Sequence, residues 1–278
     1  MDFERVREIF GRRGKESEVS EYEASYNELI KRIEHSCKAQ PQGDWGDLKR
    51  IRDYALVLRQ VLLHRGLKLF LGSLDALLEN NAYSMILSIR GHFETTAALG
   101  YLHNRLNSLK QAHLDSHVVD RDICTQLLGS RDERLLASMG EEALEAQQVL
   151  NMLEYADRSI SKNILGGKAK EHDILTDCYK FLCEFSHPNF HSNTVAFELD
   201  KEAQEFKIRH YDPMRDNEFD IIGYLLLSAP IFVALFDKIE EVLPKDECSN
   251  KALKRDAAKA AAPLSLIVCA GHGTEPVG

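Results

Sequence analysis

The segment Ala82 to Leu106, AYSMILSIRGHFETTAALGYLHNRL, has apolar residues at the spacing of an α-helix. Wound at about 100° per residue, it forms an apolar and aromatic arc centred on Arg90. The other members of this arc are Tyr83, Ile86, Leu87, Phe93, Glu94, Ala97, Ala98 and Tyr101. The opposite side carries Ser84, Ser88, His92 and Thr95. The pattern predicts an amphipathic helix whose arc faces the core of a helical protein.

Helical spacing continues on both sides of this segment. A helix is expected from about 20 to 37, opened by a capping box at Ser20 to Glu23. A longer helix is expected from Asp47 towards Asn80. Further helices are predicted at about 117–128, 132–139, 141–160, 170–187 and 217–242.

Two late segments change from helical spacing to alternation. Residues 194–200 and 205–211 each alternate apolar and polar side chains and are separated by a short linker. This is typical of a β-hairpin, predicted over about 194–211. The expected fold class is therefore all-α, a multi-helix bundle with one inserted β-hairpin.

Length and composition fit a folded protein. The chain has 278 residues, of which 44% are hydrophobic and 28% charged, and this excludes global disorder and a multi-span membrane protein. We expect an N-terminal helical segment at 1–43, a helical core domain at 44–243, and a peripheral helix with a loose tail at 244–278.

Charge and cysteine pattern bear on location and partners. The net charge of -9 disfavours a general nucleic-acid binder. The charged N-terminus resembles no secretory signal, and six cysteines without CxxC spacing predict reduced thiols in the cytoplasm. The longest apolar run, 221–236, has 16 residues, fewer than the roughly 20 that span a bilayer, so no membrane association is expected.

Arg90 and Glu94 are the unusual members of the apolar arc. Burying an unpaired charge costs free energy, so each of the two charges must have a partner inside the protein. Their i,i+4 spacing lets the two side chains meet. Two interpretations stay open. They form either a structural ion pair between helices or a polar pocket, in which Arg90 holds an anion and Glu94 orients it. Tyr83 and Tyr101 could supply hydroxyl groups to either.

His187 is predicted at the end of a helix, just before Pro188. The helix dipole favours a cationic imidazole there, so His187 is either a helix cap or a general acid/base. Glu184 and His187 resemble a di-iron ligand pair, but a second such pair is missing and Glu184 lies off the apolar arc of its helix. We therefore predict no metal and no cofactor.

Two other histidine patterns are weaker. His113 and His117, with Asp120 beyond, could bind zinc on a helix, but no fourth ligand is placed nearby. Arg59 and His64 fit the Arg-x(4–6)-His pattern of HEPN ribonucleases, although Gln60 departs from that family after the arginine.

Two motifs carry a family resemblance. Ile86 to Glu94 contains Arg-x-x-x-Glu, and Tyr179 to Pro188 reads YKFLCEFSHP. Together they resemble a bacterial family of uncharacterised helical proteins, distantly HEPN-like, with Arg-x-x-x-Glu followed by Tyr-x-x-x-Ser-x-x-x-His-Pro. Arg90 and Glu94 match the first motif. The matches to the second are Tyr179, Ser186, His187 and Pro188, with Ser186 off the family's spacing. Over about 50–210, the resemblance implies a helical bundle with a shared Arg/Glu/His pocket, without an established activity.

Two functions follow as hypotheses. In the first, a metal-independent HEPN-like enzyme with a role in defence acts on RNA or a nucleotide phosphate. His187 moves the proton, Arg90 holds the phosphate and Glu94 orients Arg90. The expected binding residues are Tyr83, Tyr101, Tyr179, Ser186 and His191.

The second hypothesis is a non-enzymatic binding or dimerisation module. In it, Arg90 and Glu94 form a structural ion pair that fixes helix register. The long apolar helices at 47–80 and 217–242 then mediate a homodimer.

Overall fold

The structure, a computed structural model, describes residues 1–34, 43–140, 143–165, 173–209 and 212–245. The helices are α1 (Phe3–Gly11), α2 (Val19–Ile30), α3 (Leu48–Leu78), α4 (Ala82–Lys110), α5 (Ser116–Leu128), α6 (Glu133–Met139), α7 (Val149–Asn163), α8 (Ile174–Ser186), α9 (Phe190–Ala196), α10 (Asp216–Phe219) and α11 (Tyr224–Val242). The strands are β1 (Phe197–Asp200) and β2 (Glu205–Ile208). An all-α bundle with one inserted hairpin is confirmed.

Helix α4 is the centre of the bundle. It packs against α3, α5, α7, α8 and α11. The predicted division of this helix into two faces was wrong, because His92 and Thr95 are buried while Tyr83 and Leu87 are exposed. A helix surrounded by five others buries nearly its whole circumference, so its polar residues bond locally. The hydroxyl of Thr95, for example, donates to the carbonyl oxygen of Gly91 at 2.7 Å.

The turn between α3 and α4 is built by two asparagines. Asn80 has a φ of 55°, and the side chain of Asn81 accepts from the N–H of Ser84 at 3.0 Å to cap α4. The amide of Asn80 also donates to the carbonyl oxygen of Asp212 and accepts from the N–H of Met214. This turn therefore ties the two longest helices to the segment that precedes α10.

The N-terminal helices belong to the hydrophobic core. Phe10 lies 5.3 Å from Tyr22 and 4.8 Å from Phe219, ring centroid to centroid, and all three side chains are buried. The predicted capping box was wrong, since α2 begins at Val19 and the hydroxyl of Ser20 donates backwards to Ser17. These contacts join both ends of the compact unit, which runs from residue 1 to residue 244.

An extended segment separates α6 from α7. Ser130 donates to the carbonyl oxygen of Leu144 at 3.0 Å and accepts from the N–H of Ala146 at 2.9 Å. The helix predicted from residue 141 was therefore wrong at its start, because α7 begins only at Val149. This pairing holds residues 143–146 beside the end of α5.

Helix α11 contains most of the apolar run. Its buried residues are Leu225, Ser228, Ala229, Phe232, Leu235, Phe236, Ile239 and Val242, and it packs on α4 and α2. By length and composition alone, the helical run Asp216–Val242, with 27 residues, could cross a membrane, so the expectation of no membrane association stays a prediction. Half of its most apolar window is buried inside the protein. Apart from residues 244 and 245, the predicted peripheral helix and tail lie outside the described residues.

The hairpin is shorter than predicted and stands on the surface. Residues 194–196 belong to α9, so β1 begins at Phe197, and residues 210 and 211 lie outside the described ranges. Phe197 pairs with Ile208 and Leu199 with Phe206, which puts these four side chains on one side of the hairpin. We call this side the hairpin face. Phe206 and Ile208 are each 65% exposed.

Candidate functional site

Arg90, Glu94 and Tyr179 form one polar cluster between α4 and α8. The Nη2 of Arg90 donates to the hydroxyl of Tyr179 at 3.0 Å and lies 3.3 Å from the Oε1 of Glu94. The Tyr179 hydroxyl donates in turn to the same Glu94 oxygen at 3.3 Å. The three groups close a triangle through the Nη2 of Arg90, whereas the buried Nε of Arg90 has no hydrogen-bond partner among the described residues.

Arg65 of α3 extends this cluster towards solvent. Its Nη2 lies 3.7 Å from the Oε2 of Glu94, and its side chain is 57% exposed. Two arginines therefore share one carboxylate, and the cluster carries an excess positive charge. Sequence analysis missed Arg65, since only the packing register of α3 against α4 brings it there.

The cluster is half-buried rather than sealed. The side chains of Arg90 and Glu94 are 22% and 21% exposed. Burial alone would lower the pKa of Arg90, but the Tyr179 hydroxyl and nearby negative charge outweigh it and raise that pKa. Burial raises the pKa of Tyr179, with Arg90 opposing. Tyr179 is therefore a neutral hydrogen-bond donor at neutral pH.

Cys183 is a second residue that sequence analysis missed. It lies one helical turn after Tyr179, is half-buried, and its thiol helps to raise the pKa of Tyr179. The sequence spacing alone could have pointed to Cys183. The pattern Tyr-x-x-x-Ser-x-x-x-His-Pro has its serine four residues after the tyrosine and four before the histidine. Counted from Tyr179, that position is Cys183, whereas Ser186 directly precedes His187.

His187 and Ser186 do not join the cluster. His187 caps the C-terminus of α8, is exposed, and lies eight residues beyond Tyr179, about 12 Å farther along the helix axis. Within the described ranges its side chain makes no hydrogen bond, ion pair or ring contact. The hydroxyl of Ser186 donates to the carbonyl oxygen of Leu182 at 2.9 Å. The predicted Arg/Glu/His pocket is therefore an Arg/Glu/Tyr cluster.

The remaining predicted binding residues are not part of the cluster either. The hydroxyl of Tyr83 donates to the carbonyl oxygen of Ser192 at 2.7 Å, near the start of α4. Tyr101 is buried three helical turns beyond Arg90, with its ring 5.3 Å from that of Tyr155. His191 is exposed on α9.

The weaker histidine patterns are also separated in space. Asp120 is completely buried; its Oδ2 accepts from the N–H of Gly46 and the Nε of Arg50, and its Oδ1 accepts from the thiol of Cys124 at 3.7 Å. Arg59 pairs with Glu240 of α11. Within the part of the chain that the structure describes, no group of three His, Cys, Asp or Glu side chains could hold a metal ion.

A row of aromatic rings follows α8 and α9 at the surface. Neighbouring rings lie 5.2 to 5.7 Å apart, centroid to centroid. We call this row the aromatic ridge; in order, it consists of Tyr224, Phe181, Phe185, His191 and Phe190. Phe181 is 41% exposed and Phe190 is 73% exposed. Phe185 and Tyr224 are partly buried against the core. A row of large rings with exposed members is typical of an interaction surface.

Comparison with known proteins adds no relative. No protein-family model, no curated protein and no solved structure matches this chain. The resemblance carried by Arg90, Glu94 and Tyr179 therefore stays a prediction.

Proposed function

We propose that this protein is a non-enzymatic helical module that forms a homodimer through the aromatic ridge and the hairpin face. The observation that carries the proposal is the ridge, where five rings are in contact and the outermost, Phe190, is 73% exposed. Aromatic side chains supply much of the binding energy in protein interfaces, because they bury large areas at small entropic cost.

The hairpin supports the proposal independently. A two-stranded hairpin is only marginally stable in water and needs cover on its apolar side. All four residues of β2 are exposed, and Leu199 in the opposite strand is 46% exposed. The hairpin follows α9 without a linker, so the ridge and the hairpin face are consecutive along the chain.

The charges beside both surfaces favour a second copy of the chain as the partner. Next to the ridge, Lys180 lies 3.9 Å from Asp177, and on the hairpin Lys207 donates to Asp200 at 2.6 Å. Each surface thus presents a positive and a negative charge side by side. A two-fold axis brings the same patch against itself, so the lysine of one protomer can meet the aspartate of the other.

The Arg90 cluster has a structural role in this proposal. Contacts among the Nη2 of Arg90, the Oε1 of Glu94 and the Tyr179 hydroxyl tie α4 to α8, the helix that carries the ridge. Cleavage of RNA or of a nucleotide would need a general base within hydrogen-bond reach of the reacting group held by Arg90. The side chain of His187, at the far end of α8, is not placed to provide one. The proposal therefore does not include catalysis.

The test is the molar mass in solution over a concentration series. The wild-type chain is expected to be a dimer at tens of micromolar by sedimentation velocity. The double variant Phe190→Ser/Phe206→Ser should raise the dissociation constant at least tenfold, the equivalent of about 1.4 kcal/mol. The control Leu150→Ser removes an apolar side chain of similar exposure, 58%, from α7 and should leave the dimer intact.

Two results would contradict the proposal. One is a wild-type chain that stays monomeric up to about 100 μM. The other is RNA cleavage by the purified protein that Arg90→Ala abolishes while the circular-dichroism spectrum is unchanged, which would favour the enzyme.

A further inference from the structure

A second polar arrangement lies away from the Arg90 cluster, around a cleft of about 550 Å³. The cleft lies between the loop before α3, one side of α5 and the chain around the end of α6. Its main lining residues are Trp45, Arg50, His117, Arg121, Leu128 and Met139. Binding sites for small molecules commonly have volumes of about 300 to 1,000 Å³.

The base of the cleft is a preorganised frame around Arg50. The guanidinium carbon of Arg50 lies 4.5 Å from the ring centroid of Trp45 and 4.6 Å from that of Tyr54. Its Nε donates at 2.9 Å to Asp120, which is completely buried and neutralises it. Asp120 also accepts from the N–H of Gly46 at 2.9 Å. One buried carboxylate therefore fixes both the arginine and the loop that carries the tryptophan.

The loop backbone lies directly against His117. Gly46 has a φ of +83°, and a Cβ built on it would lie 2.9 Å from the His117 ring. Glycine is required there both for the backbone conformation and for the close approach. His117 is thereby positioned at the rim of the cleft.

Among the described residues that line the cleft there are two arginines and no carboxylate. Arg121 is exposed, and no carboxylate in the described ranges forms an ion pair with it. The walls are apolar and open to solvent: Trp45 is 50% exposed and Leu128 is 56% exposed. Exposed apolar walls beside an exposed arginine suit an anion with a flat apolar body.

We infer that this cleft binds a planar heteroaromatic ring carrying a phosphate, a ligand of the size and chemistry of a nucleoside monophosphate. The ring packs on the exposed part of Trp45 between Leu128 and Met139. The phosphate is held by Arg121, with His117 as a second donor. Arg50 does not bind the ligand, because its charge is already met by Asp120. The inference is independent of the proposed dimer, whose surfaces lie on α8, α9 and the hairpin.

The experiment uses the fluorescence of Trp45, which is the only tryptophan in the chain. Adenosine 5′-monophosphate is titrated into the full-length protein at neutral pH. Saturable quenching with a dissociation constant below about 1 mM is expected. Adenosine alone and inorganic phosphate alone should each bind at least tenfold more weakly. Adenosine can contact only the apolar walls, and phosphate can contact only Arg121 and His117.

Two variants assign the phosphate contact. Arg121→Gln should weaken the binding of adenosine 5′-monophosphate at least tenfold and leave the binding of adenosine unchanged. The matched control is Arg5→Gln, which removes an exposed arginine from α1 and should change neither. Isothermal titration calorimetry provides a second measurement that does not depend on the tryptophan.

Three outcomes would overturn the inference. The first is no quenching and no heat up to about 10 mM ligand. The second is equal quenching by the nucleotide and by inorganic phosphate, which would indicate an anion site without ring recognition. The third is unchanged nucleotide binding in Arg121→Gln. None of these outcomes bears on the dimer, so the two proposals fail separately.

Discussion

Two histidines of α4 are buried beside serine hydroxyls. The Nδ1 of His92 lies 2.9 Å from the Oγ of Ser228, and the Nδ1 of His103 lies 2.6 Å from the Oγ of Ser159. Burial lowers the pKa of each histidine from 6.5 to about 4. Both are therefore neutral in the folded protein under conditions where the unfolded chain would already protonate them.

This difference makes the free energy of unfolding depend on pH. Between about pH 6.5 and pH 4 the unfolded chain binds more protons than the folded chain, so stability falls as the pH falls through that window. At pH 5 the loss relative to pH 7.5 is about 2 kcal/mol for each histidine. Urea unfolding at the two pH values measures it.

The control for this prediction is an exposed histidine. His103→Asn should reduce the pH-dependent loss by about half, whereas His64→Asn, at an exposed position on α3, should leave it unchanged. An identical loss in the wild type and in His103→Asn would show that His103 is not the group that titrates.

The approach of α4 to α7 depends on one glycine. A Cβ built on Gly100 would lie 2.5 Å from the Cβ and 2.8 Å from the Cα of Ala156. The two helix backbones therefore pack closer than any side chain at residue 100 would allow. We expect Gly100→Ala to destabilise the protein by about 1 to 3 kcal/mol, measured by urea unfolding, because α7 must move outwards.

A glycine of α3 serves as the matched control. At Gly72 a Cβ would meet only the Oγ of Ser88 at 3.4 Å, an ordinary contact. Gly72→Ala should therefore be neutral or stabilise the protein by up to about 1 kcal/mol, since alanine favours a helix interior. Equal destabilisation by both substitutions would mean that packing at Gly100 is not special.

At the scale of helices and strands, the sequence predicted the features that depend on residues close together in the chain. The long helices were located well, because Asp47 and Asn81 cap α3 and α4 and because apolar spacing holds over many turns. The two faces of α4 were predicted wrongly. A helical wheel assumes that one side of the helix faces solvent, whereas most of the circumference of α4 is buried. The start of the hairpin failed for a related reason: residues 194–196 alternate in sequence yet close the last turn of α9.

The candidate site was predictable only in part. Arg90 and Glu94 meet as their i,i+4 spacing requires. Tyr179 reaches them across 89 residues of chain, and Arg65 comes from another helix. Such contacts depend on the register of packed helices, which no single segment encodes. His187 was assigned to the pocket from the resemblance and from its position at a helix end. Neither observation fixes the distance along α8 between His187 and the Arg90 cluster.

At the scale of the whole molecule, the first helices and the last helical run form one core. The link is Phe10, which lies completely buried between Tyr22 and Phe219. We expect Phe10→Ala to cost about 3 to 5 kcal/mol, because it opens a cavity at this junction. Trp45 fluorescence and far-ultraviolet circular dichroism should still report one coincident urea transition.

A different result would separate the N-terminal helices from the rest. If Phe10→Ala produced an early helical transition while the Trp45 signal stayed unchanged, α1 and α2 would unfold as an independent unit. Ile9→Ala, which truncates a neighbouring residue packed only partly against the core, should cost less and serves as the comparison.

The central position of α4 also has a consequence for biosynthesis. Its partner α11 begins at Tyr224, more than a hundred residues after α4 ends at Lys110, and Ser228 is 136 residues from His92. At about 5 to 20 residues per second, a ribosome needs on the order of 10 seconds to cover that interval. Throughout it, the nascent chain carries the middle of its future core without the helix that closes it. Efficient production of this protein should therefore depend on chaperones that bind exposed apolar helices during translation.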